Sequence, residues 1–140
     1  MRYLLDTNVL SELRRRDKTD KAVAAWASKV HSFDLFLSAI TILEIEIGTQ
    51  LLMRRDPEQA NQLRRWIDDR VLPAFAGRIL PVDTAVAQRC ATLHVPDPRA
   101  ERDALIAATA LVHGLKVVTR NTADFAPMGV ATMNPWTPTN

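Results

Sequence analysis

One cysteine, four glycines and three histidines in 140 residues leave several classes of protein without their usual material. The lone Cys90 cannot close an internal disulfide, so a small secreted scaffold held by bridges is not expected. His31, His94 and His113 are scattered and no His-Glu-x-x-His occurs, which removes the common zinc signatures. Neither a P-loop nor a Gly-x-Gly-x-x-Gly turn is present, and nucleoside triphosphate and dinucleotide sites fall away. No apolar run approaches the roughly 18 residues a membrane span needs, and Asp6 comes too early for a signal peptide. An excess of one charge is missing too. Lys and Arg number 18 and Asp and Glu 16, so the formal net charge is +2 and neither a polybasic tail nor an acidic disordered chain is present. These absences predict a cytoplasmic protein without membrane association, folded as one domain over residues 1–140.

What is there is alternation. Short apolar runs at Tyr3–Leu5, Leu35–Leu37, Arg78–Val82, Leu115–Val118 and Val130–Met133 read as strands. Between them lie helical patterns: one after Asp6, then Ala22–Val30, Ala39–Arg55, a polar stretch opened by Pro57 with Leu63, Trp66, Ile67 and Val71 on one stripe, Thr84–Leu93, and Ala100–His113. Asp83 reads as a helix N-cap and Gly114 as the residue just past a helix end. Alternating strands and helices predict an α/β fold, a parallel sheet with helices on both faces. Ligands of such sheets gather beyond the carboxyl ends of the strands.

That rule singles out acids. Asp6 ends the first strand, and Thr119, Asn121 and Asp124 follow the fourth. Glu44 lies early in the helix after strand two, and Asp103 early in the helix that feeds strand four. Each has a plain structural alternative: Asp6 and Asp103 as helix caps, Thr41 to Glu44 as a capping box, Asp124 as a turn residue. Capping does not explain why Glu44 and Asp103 stand in apolar surroundings, with no Lys or Arg at helical spacing on the buried side of Glu44. Divalent cations would supply the missing charge. All-oxygen donor sets suit Mg²⁺ or Mn²⁺, and two such ions about 4 Å apart can activate a water against a phosphodiester.

Four segments carry a resemblance to a known family. Leu4-Leu5-Asp6-Thr7-Asn8-Val9-Leu10, Ser38 to Gly48 around Glu44, Asp103 to Ala110, and Thr119-Arg120-Asn121-Thr122-Ala123-Asp124-Phe125 resemble, in order and spacing, the motifs of PIN-domain proteins. The likeness extends to VapC-type toxins and their FitB-like branch through Phe75-Ala76-Gly77-Arg78-Ile79-Leu80-Pro81 and Asn134-Pro135-Trp136. The resemblance implies a three-layer PIN-like fold with a five-stranded parallel sheet in the order 3-2-1-4-5. It also implies a Mg²⁺- or Mn²⁺-dependent ribonuclease, an RNA substrate, an antitoxin partner and a homodimer. Its acidic positions fall on Asp6, Glu44 and Asp103, with Asn8 and Thr119 as supporting residues. Glu46 is off the motif and expected to face elsewhere. Many relatives carry Asp where this chain has Asn121, so the fourth acid is either supplied by Asp124 or absent.

Arg14-Arg15-Arg16 with Lys18, Arg54-Arg55 and Arg64-Arg65 are either solvated helix faces or phosphate contacts, and Arg102 beside Asp103 is a further candidate for RNA. Trp26 and Trp66 lie on amphipathic stripes that suit packing, and Leu51-Leu52-Met53 with Leu63–Val71 is a candidate antitoxin groove. Rival readings fit less well. A dehalogenase-like phosphatase needs an Asp where Asn8 stands, and a phospho-receiver needs its acceptor after the third strand. A PIN-like binding module without catalysis is kept open by Asn121.

Overall fold

The computed structural model describes residues 1–137; the last three positions of the expected 1–140 span lie outside the described residues. In chain order the elements are β1 (Tyr3–Leu5), α1 (Thr7–Leu13), α2 (Lys21–Lys29), β2 (Leu35–Ser38), α3 (Ala39–Met53), α4 (Pro57–Trp66), α5 (Leu72–Ala74), β3 (Ile79–Leu80), α6 (Thr84–Leu93), α7 (Glu101–His113), β4 (Lys116–Val118), α8 (Thr122–Phe125) and β5 (Thr132–Met133). All strand pairs are parallel, in the order β3-β2-β1-β4-β5. This is the order implied by the resemblance. No described helix is long and apolar enough to cross a membrane.

Strand alternation builds two cores. Successive side chains of a strand point to opposite faces, so the pairs Leu4–Leu5 and Val117–Val118 are split between them. Leu4 and Val117 pack with Ile106, Ala107, Val86 and Phe125 under α6, α7 and α8. Leu5 and Val118 pack with Val9, Leu10, Ile45, Ile67 and Val71 under α1, α3 and α4. Trp26 of α2 meets Tyr3 edge-on at 5.4 Å, closing the second layer as core packing.

β1 spans its expected run and β2 extends one residue past it to Ser38, whereas β3, β4 and β5 are shorter than their apolar runs suggest. The Leu115 N–H donates to Ala110 O at the end of α7, where Gly114 adopts φ 67°. Pro81 carries no N–H with which to extend β3. Two capping alternatives are also corrected. Ser38, whose Oγ accepts from the Ile40 N–H at 3.0 Å, caps α3, and Thr41 is fully buried, so no capping box joins it to Glu44. α7 starts at Glu101 after Ala100, which leaves Asp103 inside the first turn. Asp83 does cap α6, accepting from the Val86 N–H at 3.0 Å.

The segment that includes Arg78 has a structural task. The Arg78 guanidinium donates to the carbonyls of Ser32, Leu35 and Ala74, and its carbon lies 5.5 Å from the Phe33 ring centre and 5.2 Å from that of Phe75. It ties the start of β2 to α5 just before β3. Gly77, at φ 79°, makes the turn into this clamp.

Candidate active site

Asp6 leaves β1 as the sheet ends and caps α1 in the same step. Its N–H continues the ladder to Val118 O (2.9 Å), while its Oδ1 accepts from the Thr7 N–H (2.8 Å). The other oxygen, Oδ2, accepts from Thr119 Oγ1 at 2.8 Å and from Asn8 Nδ2 at 3.3 Å. The structural and functional readings of Asp6 are therefore both met: one oxygen caps the helix and the other is aimed by neighbours. Asp6 is only 6% exposed and Thr119 is fully buried.

Thr119 stands at the carboxyl end of β4, the strand beside β1, and also accepts from the Asn121 N–H at 3.0 Å. Asn8 Oδ1 accepts from the Arg120 N–H at 3.2 Å, and the Arg120 guanidinium lies 4.9 Å from the Trp136 ring centre. The Trp136 N–H donates to Asn134 Oδ1 at 2.9 Å. The terminal Asn-Pro-Trp segment thus braces the loop after β4, which in turn holds Asn8.

Glu44, one turn into α3, is half-buried. Thr7 Oγ1 donates to its Oε1 at 2.7 Å and lies 3.4 Å from Thr41 Oγ1. Arg102 Nη1 approaches its Oε2 at 3.6 Å. α3 offers Glu44 no cation at helical spacing, as expected, and the basic side chain that does approach it comes from α7. Thr7 is the residue that motif reasoning passed over. Its only sequence signal was its place beside Asp6. Glu46 faces away and is bound by Arg64 at 2.5 and 2.7 Å, which holds its carboxyl below the usual range.

Asp103, in the first turn of α7, shares the electrostatic environment of Asp6. Burial pushes both carboxyls up. For Asp6 the hydrogen bonds from Thr119 and Thr7 oppose that rise, while the charges of Glu44 and Asp124 add to it. For Asp103 the charges of Asp6, Asp124 and Glu44 add to it and no hydrogen bond opposes. Asp124 thus belongs to the acidic edge although it is exposed on α8. Asn121 lies outside that interaction; its backbone serves Thr119 and the Asp124 N–H instead.

Such an edge suits a hard cation. Asp6 and Asp103 are each pushed up by burial and by neighbouring carboxylates, and Asp6 is already oriented by its hydrogen bonds. Among the described residues no three His, Cys, Asp or Glu side chains close on a single point. The donors at this edge are carboxylate and hydroxyl oxygens, a set whose chemistry suits Mg²⁺ or Mn²⁺ better than zinc.

The basic candidates divide. Only Arg102 touches the acids. Arg15 pairs with Glu12 at 3.3 Å, Arg14 lies over the Trp66 ring, and Arg16 lines a cleft beside α4. Three clefts are lined by none of these acids. One of about 440 Å³ runs between α2 and the segment after β5, past Lys21, Trp26 and Pro135. A shallower, largely apolar groove of about 180 Å³ is lined by Leu10, Leu13, Trp66, Val71 and Phe75, together with Arg14 and Arg70. Of the segments expected to form an antitoxin groove, Trp66 and Val71 line this one together with α1 and α5, and Leu51 and Met53 stand exposed on α3.

The comparisons with known proteins agree with this arrangement. The PIN domain family model matches residues 3–129. Toxin FitB of Neisseria gonorrhoeae is 41% identical over 139 residues, covering 95% of this chain and 97% of that protein. VapC ribonuclease Y4jK of Sinorhizobium fredii is 38% identical over 140 residues, covering 96% and 98%. The crystal structure of FitAcB from Neisseria gonorrhoeae superposes with a TM-score of 0.86 at 40% identity, over 96% of this chain and 98% of that one. With its sheet order, its acidic edge and these relatives, the chain belongs to the PIN-domain family, in the branch of the FitB and VapC toxins.

Proposed function

We propose that this chain is the ribonuclease toxin of a toxin–antitoxin pair, hydrolysing RNA phosphodiester bonds with Mg²⁺ or Mn²⁺. The observation that carries the reading is Asp6, a buried carboxylate oriented by Thr7, Asn8 and Thr119 at the sheet's carboxyl edge, with the charges of Glu44 and Asp124 bearing on it and on Asp103. The relatives named as a toxin and as a VapC ribonuclease support it.

Asp6, Glu44, Asp103 and Asp124 would hold the ion, directly or through its waters, and Asp124 rather than Asn121 fills the fourth acidic place. An ion held there would supply a water of lowered pKa and positive charge against the phosphate oxygens. The chain's own residues set the geometry. Thr119 and Asn8 fix which Asp6 oxygen lone pairs stay free, and Thr7 does the same for Glu44. Arg102, long at 3.6 Å from Glu44 and half exposed, is placed to release that contact and take a phosphate oxygen. Water adds to phosphorus in line with the leaving ester oxygen, so no protein nucleophile is required.

The groove between α1 and α4–α5 would accept apolar side chains of the antitoxin. Leu43 and Leu51, 45% and 61% exposed on the otherwise apolar α3, suit burial against a second copy. The decisive experiment incubates purified protein with mixed RNA in Mg²⁺, Mn²⁺ or EDTA, beside Asp6→Asn. Ion-dependent cleavage that vanishes in EDTA and in the variant is expected. A folded Asp6→Asn protein with undiminished activity would overturn the mechanism.

A further inference from the structure

Between the end of α1 and the outer side of α4 lies a cleft of about 330 Å³ lined by Arg16, Gln62, Arg65, Trp66, Asp69 and Arg70. Arg14 adds a positive charge over Trp66, its guanidinium carbon 5.6 Å from the ring centre. Neighbouring arginines in the sequence are neutralised: Arg64 by Glu46 and Asp68, and Arg15 by Glu12. Those at the cleft are not. Among the described residues, Arg14, Arg16, Arg65 and Arg70 have no carboxylate within 4.0 Å. Asp69 supplies a single negative charge on the wall, so the cleft keeps a net positive field.

A second observation falls on the same place. Arg16, at φ 54°, is the one non-glycine residue with positive φ among the described residues. That conformation costs an L-residue about 1–2 kcal/mol and is retained where surrounding structure or function demands it. Here it begins the turn Arg16–Lys18 and leaves Arg16 on the cleft wall opposite Arg65 and Arg70.

Guanidinium groups present planar paired donors that match phosphate oxygens, and the indole of Trp66 offers a surface on which a base can stack. Trp66 and Arg70 line the neighbouring apolar groove as well, so the two adjoin, and it is the unpaired guanidiniums of Arg16, Arg65 and Arg70 that favour a polyanionic strand here over an apolar peptide. Its position also fits. Asp6 caps one end of α1 and Arg14 the other, and seven helical residues span about 10 Å. We propose that this cleft binds the phosphates of the RNA strand beside the bond being cut, a second contact region one helix length from the acids. The inference rests on the nuclease reading for the identity of the strand.

The test uses the Asp6→Asn protein in Mg²⁺, so that RNA binds without being cut. A labelled single-stranded oligoribonucleotide is titrated by fluorescence anisotropy across a range of salt, with and without Arg16→Ala, Arg65→Ala and Arg70→Ala combined. These side chains are exposed, and circular dichroism with thermal melting checks that the fold is kept. Each lost phosphate contact to a single strand lowers the slope of log affinity against log salt by about 0.7, so the triple change is expected to lower it by about 2. Affinity at low salt should fall about tenfold or more, and Arg→Lys at the same positions should restore the slope. An unchanged slope and affinity overturn the proposal. So does loss of binding to a polyglutamate peptide with RNA binding intact, which would make the cleft a site for an acidic protein segment. The nuclease reading fails separately: if the unaltered chain cuts no RNA in Mg²⁺, that reading falls, while the slope still judges the cleft.

Discussion

Thr119 donates to Asp6 Oδ2 from full burial, so replacing it with Val removes an orienting hydroxyl without opening a cavity. Residues that orient metal ligands typically affect affinity or activity by about 10–100-fold. Thr119→Val is expected to lose cleavage by that factor, and Thr7→Val, which frees Glu44, by a similar one; initial rates across Mg²⁺ concentration check both. Asp103 makes a prediction of a different kind. Its folded carboxyl titrates above the ordinary 3.8, first through burial and then through Asp6, Asp124 and Glu44. Its ionisation therefore disfavours the folded state. The cost is absent below the unfolded value and grows as pH rises through the raised folded one. Without divalent ions, Asp103→Asn should melt higher than the unaltered chain at neutral pH, with the difference vanishing towards pH 3.8. A variant that melts lower at neutral pH would contradict this account of the acidic edge.

The Arg78 clamp belongs to the elements it joins. Its guanidinium serves carbonyls from the turn before β2, from β2 itself and from α5. Hydrogen bonds from a charged group contribute about 1.5–3 kcal/mol. Arg78→Ala is expected to cost about 2 kcal/mol or more in urea unfolding, and Arg78→Lys to recover little of it, since an ammonium cannot span the same carbonyls. Gly114→Ala should cost about 1–2 kcal/mol, because φ 67° strains any residue with a Cβ although no neighbour crowds it. Several of these features were legible before folding. Gly114 after the Ala-rich helix, Asp83 before Thr84 and Pro57 at the start of α4 carry local rules that the backbone obeys. Strand ends were less legible, because whether Leu115 joins β4 depends on where the α7 carbonyls fall.

Across the whole molecule the two cores and the acidic edge oppose one another. The cores stabilise: Phe125, 1% exposed in the layer under α7, should cost about 3–5 kcal/mol when replaced by Ala. The acids gathered at the carboxyl ends of the strands repel. A cation that binds the folded chain alone relieves that repulsion, and at 100 times its dissociation constant adds about 2.7 kcal/mol. Mg²⁺ or Mn²⁺ should therefore raise the melting temperature of the unaltered chain and much less that of Asp6→Asn, as scanning calorimetry would show.

Residue order alone carried the strand–helix alternation, the expectation of helices on both faces of a parallel sheet, and the candidate acids, because periodicity and motif spacing are local properties. The partners of those acids came only with the fold. Thr7 against Glu44, Arg102 reaching Glu44 from another helix, Asp124 rather than Asn121 beside Asp6 and Asp103, and Arg16 across a cleft from Arg70 all join residues distant in the chain. The near-zero net charge could not show this. Charge summed along a chain ignores position, whereas a parallel sheet brings the ends of its strands to one edge and leaves uncompensated arginines a helix length away.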